Sequence, residues 1–283
     1  MQAPGDRMPT NAFYLTFDDG PYEYSQKEEG KAGGTEVVLK VLKDFKVKAT
    51  FFICSKSNSI SPARQYALVK RMVDEGHALA NHGDDHLPMT RGGYNGIVNG
   101  KGSMNKEELA NFKKDKDFKL DEKTGRVINV KAHVVKDFTD NQAHFEKLFK
   151  SHGKTLPGFI GSRLPGDGRY QKEIVKAVVE KTEAPHFGWH FEFAPNNQLN
   201  HVNKADWNGV AGVSATWIPK DGPKDQDILL LHDSHWKNRE KEFRGLVKKL
   251  TALGSFKTLD QLPAKKSERF LNEVVLYQGK SQK

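Results

Sequence analysis

The chain of 283 residues predicts an α/β protein whose parallel sheet closes, or nearly closes, into a barrel. The first observation is that short apolar runs typical of strands alternate with segments of helical period. The second is that aspartate and histidine residues follow directly after apolar runs, as catalytic residues do at the carboxyl ends of barrel strands. The length suits one such barrel with insertions, or two small domains.

The first third of the chain predicts three strands and two helices. Apolar residues recur at helical spacing from Thr35 to Phe45 and predict the first helix. Ser61-Pro62 opens the second, because serine caps a helix and proline fits its first position, and Gly76 ends it. The predicted strands are Phe13–Phe17, Ala49–Cys54 and Ala78–Asn81.

The last part of the chain continues the alternation. Gly254 ends the final helix. The predicted elements are strand Gly158–Ser162, helix Lys172–Glu180, strands Phe187–His190 and Asp227–Leu231, and helix Glu240–Leu253.

A long segment interrupts this alternation between His86 and Arg163. The insertion, Arg91–Lys136, opens with a glycine-rich run, continues with a charged run, and includes an alternating Val127–Val130 that indicates a hairpin arm. Loops of this length in compact domains are functional or disordered. We expect a wall or lid of a substrate groove, with a disordered surface excursion as the alternative.

Two polar segments predict a catalytic metal site. Thr16–Pro21 reads TFDDGP and places two adjacent carboxylates at the end of an apolar run. Because side chains alternate along a strand, one carboxylate can bind a metal while the other faces a substrate. His82 and His86 share a face if their segment takes one helical turn. One carboxylate and two imidazoles leave an ion open positions for water and substrate, which favours Zn²⁺ and permits Co²⁺, Ni²⁺ or Fe²⁺.

With two later segments, these motifs resemble the NodB-type polysaccharide deacetylases, the family 4 carbohydrate esterases. The matching positions, in motif order, are Thr16–Pro21; His82 and His86; Arg163 and Pro165; and Leu230 and His232. The resemblance runs from about Ala12 to about Leu262 and implies a single-domain, distorted (β/α) barrel with fewer than eight regular units. The predicted limits are an extension over 1–11, a deacetylase domain over 12–262 with 91–136 inserted, and a tail over 263–283.

The resemblance also implies a reaction, the metal-dependent hydrolysis of an amide on a sugar. Asp19, His82 and His86 match the metal ligands. Asp18 matches the general base that takes a proton from the metal-held water. His232 matches the general acid that protonates the leaving nitrogen.

Four further residues acquire roles from the same motifs. Arg163 resembles the arginine that pairs with the base aspartate and keeps it ionised. Leu230, two residues before the acid histidine, would line the pocket for the acetyl methyl group. Pro165 belongs to the third motif, and the backbone N–H of Gly166 is expected to stabilise the oxyanion.

The fourth motif departs from the family pattern of Trp-Asp-x-Asp-Ser-x-Asp-Trp. Glu192 falls where an aspartate would tune the acid histidine, and we expect it to contact His232. His190 replaces another acid, and an additional ligand role for it is the less favoured reading. Trp207, after an insertion, is predicted either to wall the pocket or to anchor the surface.

Composition restricts the partners. The net charge of +9 favours a polyanionic partner, or serves solubility alone. Because the lysines are scattered among acids, we predict no nucleic-acid partner, and no apolar stretch is long enough to span a membrane. Cys54 is the single cysteine and is predicted to be buried. An extracytoplasmic (periplasmic or secreted) protein is expected, with any export signal absent from this chain.

We expect the substrate to be an N-acetylglucosamine polymer. Peptidoglycan is favoured, because its peptide carboxylates would be attracted to a basic protein. The alternatives are a chitin or chitooligosaccharide deacetylase, a small-molecule amide hydrolase of the same superfamily, and a carbohydrate-binding protein that has lost catalysis. An iron(II) oxygenase would use the same ligand types, but typically presents them in another order along the chain.

Overall fold

The computed structural model describes residues 11–23, 33–56, 60–87, 130–166, 172–196, 206–216, 222–263 and 275–277. The chain divides into two compact units. The first unit consists of Met1–Phe52, Asn58–Leu79 and Trp189–Pro263. The second consists of Ile53–Ser57, Ala80–Gly188 and Ala264–Lys283.

The described elements alternate between strand and helix over most of the chain, as predicted. The strands are β1 (Ala12–Gly20), β2 (Thr50–Ile53), β3 (Ala78–Asn81), β4 (His186–Phe187), β5 (Phe191–Pro195), β6 (Val213–Thr216), β7 (Ile228–His232), β8 (Ser255–Lys257) and β9 (Val275–Tyr277). The α-helices are α1 (Gly34–Asp44), α2 (Pro62–Asp74), α3 (Val130–Ser151), α4 (Lys172–Thr182) and α5 (Glu240–Thr251). Short 3₁₀ turns cover Asp233–Trp236 and Leu259–Gln261.

The main sheet is mostly parallel and has the order β3-β2-β1-β7-β5-β6, with β8 pairing beside β1. Strand β1 runs parallel to both β7 and β8. Strand β5 runs parallel to β7 and antiparallel to β6. Since carboxyl ends of parallel strands meet at one edge of a sheet, β1, β5 and β7 deliver their last residues to the same edge.

Burial on both faces explains the apolar composition of the central strands. Phe13, Leu15 and Phe17 of β1 are almost fully buried, and the ring of Phe17 stacks on that of Phe51 at 5.1 Å. A near-continuous apolar run is typical of parallel strands covered by helices on both faces. The apolar faces of α1 and α5 pack against each other in the first unit.

Helix boundaries follow the capping signals in the sequence. The Ser61 side chain accepts a hydrogen bond from the backbone N–H of Arg64 at 3.3 Å, and proline follows at the first helical position. Gly76 adopts a φ of +78° just after α2, in the left-handed region that glycine tolerates best. Both predicted ends of this helix are confirmed.

Helix α3 is the main element that the sequence analysis missed. It begins at Val130, so the interpretation of Val127–Val130 as a hairpin arm is wrong at its last residue. The buried residues Val134, Phe138 and Phe145 follow helical spacing, and this period outweighs the short alternation before it. Residues 91–129 of the predicted insertion Arg91–Lys136 lie outside the described residues.

Three further differences concern strands. No strand forms over Gly158–Ser162: only Ser162 makes isolated bridges, to Asn81 and His186. Two glycines within five residues disfavour a regular strand there. The strand predicted at Phe187–His190 is reduced to β4, which pairs with β9 in the second unit. Strands β5 and β6 were not predicted, because their short sequences carry little periodic signal.

None of the described helices is both long enough and apolar enough to cross a membrane. Helix α3 has the length, but charged and polar residues occur throughout it.

Candidate active site

The two adjacent aspartates lie within β1 rather than after it, because the strand continues to Gly20. Asp18 is buried, whereas Asp19 is half-buried and adopts a φ of +72°. Aspartate tolerates this left-handed conformation better than most residues do. The two neighbouring carboxylates therefore lie in different surroundings, as the alternation along a strand predicts.

Strand register places the candidate acid histidine next to β1. Asp18 pairs with His232 of β7, and Thr16 pairs with Leu230 two residues earlier. On the other side of β7, Leu230 pairs with Glu192 of β5. Because residues two apart on a strand share a face, Leu230 and His232 lie on one side of the sheet.

The imidazole of His232 lies between two carboxylates. Its Nδ1 is 3.4 Å from Oε1 of Glu192, and its Nε2 is 3.9 Å from Oδ2 of Asp19. All three side chains retain some exposure, with 17 to 27% of their surface accessible. An imidazole held in this way can carry a proton to a group that approaches from solvent.

Asp233, the residue after the candidate acid, fastens the turn that follows β1. Its carboxylate is fully buried and accepts a hydrogen bond from the hydroxyl of Thr35, which in turn accepts one from the backbone N–H of Tyr22. Burial, opposed by the Thr35 hydrogen bond and reinforced by the charge of Asp19, raises the pKa of Asp233 to about 7. The sequence analysis assigned this residue no role.

The second unit contributes the histidine loop, His82–His86. The segment is not a helical turn: Gly83 has a φ of +84° and His86 one of +50°. The sequence predicted that His82 and His86 share a face if their segment takes one helical turn, and the segment does not take one. The two rings nevertheless lie together, with centroids 5.2 Å apart and planes at 60°.

A backbone carbonyl fixes the tautomer of His82. Its Nδ1 lies 2.8 Å from the carbonyl oxygen of Arg163, which can only accept a hydrogen bond. In the neutral imidazole Nδ1 therefore carries the proton, and Nε2 keeps a lone pair. This is the arrangement that histidine ligands of metals usually have, so His82 fits a ligand role.

The third motif is held by its own backbone contacts. The guanidinium of Arg163 is fully buried and donates to the carbonyls of Phe187 at 3.0 Å and Gly188 at 2.9 Å. The backbone N–H of Leu164 donates to Nε2 of His186. Pro165 is buried, whereas Gly166 is exposed, with a φ of +81°. Sequence reasoning missed His186, since no motif marks it.

The fourth-motif residues separate into different surroundings. Trp207 is 8% exposed and packs edge-on against Phe193, with ring centroids 4.8 Å apart. Phe193 follows Glu192 in β5, so their side chains point to opposite faces. The Nδ1 of His190 accepts a hydrogen bond from the backbone N–H of Ile228, and burial lowers its pKa to about 4. His190, the residue before β5, is thus joined to the start of β7.

An acidic cluster that the sequence did not predict includes two residues of the histidine loop. Carboxylate oxygens of Asp84, Asp85 and Asp137 lie within 4.8 Å of one another. The ammonium group of Lys56 forms ion pairs with Asp84 and Asp85, so the chain itself supplies a cation there. Burial, opposed by a hydrogen bond from the backbone of Asp85, raises the pKa of Asp137 to about 8.

Comparison with known sequences points to one family. The sequence pattern of the family described as polysaccharide deacetylase matches residues 5–180. The chain is 40% identical over 87 residues to a chitooligosaccharide deacetylase of Bradyrhizobium, a match covering 31% of this chain and 34% of that protein. It is 40% identical over 77 residues to a peptidoglycan-N-acetylglucosamine deacetylase of Listeria monocytogenes, covering 27% of this chain and 14% of that protein.

A third relative is the peptidoglycan-N-acetylmuramic acid deacetylase of Bacillus subtilis, 38% identical over 94 residues, which are 33% of this chain and 31% of that protein. The matches thus cover about a third or less of each of these relatives.

Solved structures show the fold. A T48 deacetylase with substrate superposes with a TM-score of 0.50 at 22% identity, covering 89% of this chain and 90% of that one. The Xyl-CE4 domain of a xylanase from the hindgut metagenome of Trinervitermes trinervoides gives a TM-score of 0.50 at 19% identity, covering 91% of both chains. With the mostly parallel sheet and its helices, they confirm the predicted distorted (β/α) barrel of the NodB type.

Proposed function

The chain belongs to the polysaccharide deacetylase family, and from this premise we propose that it removes acetyl groups from N-acetylglucosamine residues of a cell-wall polysaccharide, most specifically peptidoglycan. The observation that carries the proposal is the position of His232, whose imidazole lies between the carboxylates of Glu192 and Asp19, while its backbone pairs with that of Asp18. This arrangement suits acid–base catalysis of amide hydrolysis.

We propose that Asp19, His82 and His86 hold a divalent cation, with Zn²⁺ favoured and Co²⁺ or Ni²⁺ permitted. The donor chemistry fits: one carboxylate and two imidazoles, with Nε2 of His82 left as the lone-pair donor by the carbonyl of Arg163. Such an ion, when bound, lowers the pKa of a water ligand and polarises the amide carbonyl.

Asp18 acts as the general base and His232 as the general acid in this proposal. Asp18 accepts a proton from the attacking water while the water oxygen bonds to the amide carbonyl carbon. His232 then donates a proton to the nitrogen as the carbon–nitrogen bond breaks, so that free amine and acetate result. Glu192 faces Nδ1 of His232 at 3.4 Å and is proposed to orient the imidazole.

The remaining site residues have supporting roles. Arg163 is proposed to pair with Asp18 and orient it, and the backbone N–H of Gly166 to stabilise the oxyanion. Leu230 and Pro165, both buried, would bound the space for the acetyl methyl group. The packing of Trp207 on Phe193 supports a role in holding β5 more than a direct substrate contact.

The substrate assignment rests on charge and on relatives. Two of the relatives act on peptidoglycan by name, and the net charge of +9 favours a polymer that carries carboxylates. A peptidoglycan substrate also supports the proposed extracytoplasmic location. The second candidate is a chitooligosaccharide deacetylase, favoured by the Bradyrhizobium relative.

Acetate release tests the proposed activity. Purified protein should release acetate from peptidoglycan and from N-acetylglucosamine oligomers, lose this activity with a chelator, and regain it with zinc or cobalt. An absence of acetate from every substrate after metal reloading would reject the deacetylase proposal in favour of a carbohydrate-binding protein.

Salt tests the choice of polymer. Apparent affinity for intact cell wall should fall as salt is added, because the Debye length is already only about 10 Å at 0.1 M. Turnover of short neutral chitooligosaccharides should not change. A clear preference for chitin over wall material at low salt would contradict the peptidoglycan assignment.

A further inference from the structure

We propose that Asp137 and Asn141, one turn apart on α3, are positioning residues that hold the histidine loop in a metal-binding conformation. The inference rests on the proposed function, in which His82 and His86 are metal ligands. Both helix residues are buried, at 5% and 0% exposure, and both face the loop or the strand that leads into it. No sequence motif marks either residue.

Asn141 supports the side of the loop that contains His82. Its side-chain amide nitrogen lies 2.8 Å from the carbonyl oxygen of Ile53 and 2.8 Å from Oδ1 of Asn81. The same Oδ1 of Asn81 accepts a hydrogen bond from the backbone N–H of Gly83 at 3.0 Å. Asn141 is thereby connected to the residues on both sides of His82.

Asn81 completes this connection from the end of β3. Its amide nitrogen donates to the carbonyl oxygen of Phe138 on α3 at 2.8 Å. Its backbone carbonyl accepts from the N–H of Arg163, whose own carbonyl faces Nδ1 of His82. The ring of His82 is therefore oriented by a continuous set of hydrogen bonds that starts on α3.

Asp137 supports the side of the loop that contains His86. Its Oδ1 accepts a hydrogen bond from the backbone N–H of Asp85 at 2.8 Å, immediately before the histidine. A Cβ at Gly83 would lie 2.2 Å from Oδ2 of Asp137, so the loop approaches this carboxyl group as closely as only glycine allows. The left-handed φ of Gly83 is consistent with the same requirement.

The loop has no regular secondary structure. Backbone hydrogen bonds join His82 to Ile53 and Asp84 to Lys56, and the side-chain contacts hold the backbone N–H groups of Gly83 and Asp85. Groups that orient metal ligands without touching the metal typically change metal affinity 10- to 100-fold when they are removed. A merely structural role in α3 would instead change stability and leave the ligand geometry of the folded protein unchanged.

The test measures zinc affinity by competition with a chromogenic chelator, and the visible spectrum of the cobalt-substituted protein. Asp137→Ala and Asn141→Ala should each weaken zinc binding about 10- to 100-fold and alter the cobalt spectrum. Asp137→Asn keeps an acceptor oxygen toward Asp85 and should retain near wild-type affinity. Asn141→Asp keeps the shape but loses the amide donors, so it should also weaken zinc binding about 10- to 100-fold, and it takes the place of Asn141→Ala if the alanine variant does not fold.

Phe145→Leu is the matched control, because Phe145 is fully buried on the same helix and packs against Phe159. It should lower the melting temperature without changing zinc affinity or the cobalt spectrum. Wild-type zinc affinity in Asp137→Ala and Asn141→Asp, or an equal loss of zinc affinity in Phe145→Leu, would overturn this inference but not the proposed function. A wild-type protein that neither binds zinc nor releases acetate would instead overturn the proposed function.

Discussion

The acidic end of β1 and the histidine loop are held in place by different kinds of interaction. Asp18 and His232 take their positions from strand register, through backbone hydrogen bonds between β1 and β7. The loop lies outside the strand ladder: in addition to backbone hydrogen bonds with β2 and the segment after it, it is held by the side chains of Asn81, Asp137 and Asn141. Backbone pairing survives most side-chain changes, whereas a loop held by side chains can be loosened by one substitution.

The largest expected effect concerns the ligands in both regions. Asp19→Ala, His82→Ala and His86→Ala should each lower the bound zinc and reduce acetate release to background, because each removes one of the three proposed protein ligands. Elemental analysis of the purified variants measures the metal. Full occupancy in all three variants would contradict the ligand assignment.

The next effect separates proton transfer from metal binding. Asp18→Asn and His232→Ala should retain zinc and lose activity by about 10²- to 10⁴-fold, the usual contribution of a positioned proton carrier. Turnover is measured with saturating oligomer, and zinc content serves as the control. Loss of metal in Asp18→Asn would show that both carboxylates of β1 are ligands, contrary to the proposed division.

The same contrast explains which parts of the site could be predicted from sequence. Asp18, Asp19 and His232 follow apolar runs in the sequence, and this local pattern predicts both the strand and the edge at which its last residue lies. Glu192 also followed from its place in a motif. The motifs and the parallel sheet were therefore predictable from the order of residues along the chain.

Other residues could not be predicted, because their partners are distant in sequence. Asp137 and Asn141 lie more than fifty residues after their partners in the loop and at the end of β3. Their spacing of four indicates at most a common helix face, and the helix itself was missed when Val127–Val130 suggested a strand. His186 likewise gains its role only through the backbone N–H of Leu164.

A smaller effect is expected within the first region. Glu192→Gln removes a carboxylate 3.4 Å from Nδ1 of His232 and should move the alkaline limb of the pH–rate profile to lower pH, because a cationic imidazole loses a negative neighbour. The zinc content should not change. Trp207→Phe is a suitable companion, since it keeps an aromatic ring against Phe193 and should leave the profile in place. An unchanged profile in Glu192→Gln would reject Glu192 as the partner of the acid.

The smallest effect compares two buried acids, one in each unit, in protein freed of metal by chelation. Burial is the main cause that raises the pKa of Asp137 to about 8 and that of Asp233 to about 7, from 3.8 for both. The folded protein then holds each proton more tightly than the unfolded chain does, so that each group lowers the free energy of unfolding as pH rises from about 4 to its folded pKa.

An Asn variant cannot ionise at this position, so it does not lose stability in this way as pH rises. The difference in free energy of unfolding between variant and wild type therefore isolates this contribution from those of all other titrating groups. Between pH 5 and pH 9, the free energy of unfolding of Asp137→Asn should rise relative to that of wild type by at least about 1.4 kcal/mol, the equivalent of one pKa unit. The gain should continue to about pH 8 for Asp137→Asn but level off near pH 7 for Asp233→Asn. Urea denaturation at each pH measures it. A constant difference across this range would show that Asp137 is ionised in the folded protein, and its hydrogen bond to the backbone of Asp85 would then be charge-assisted.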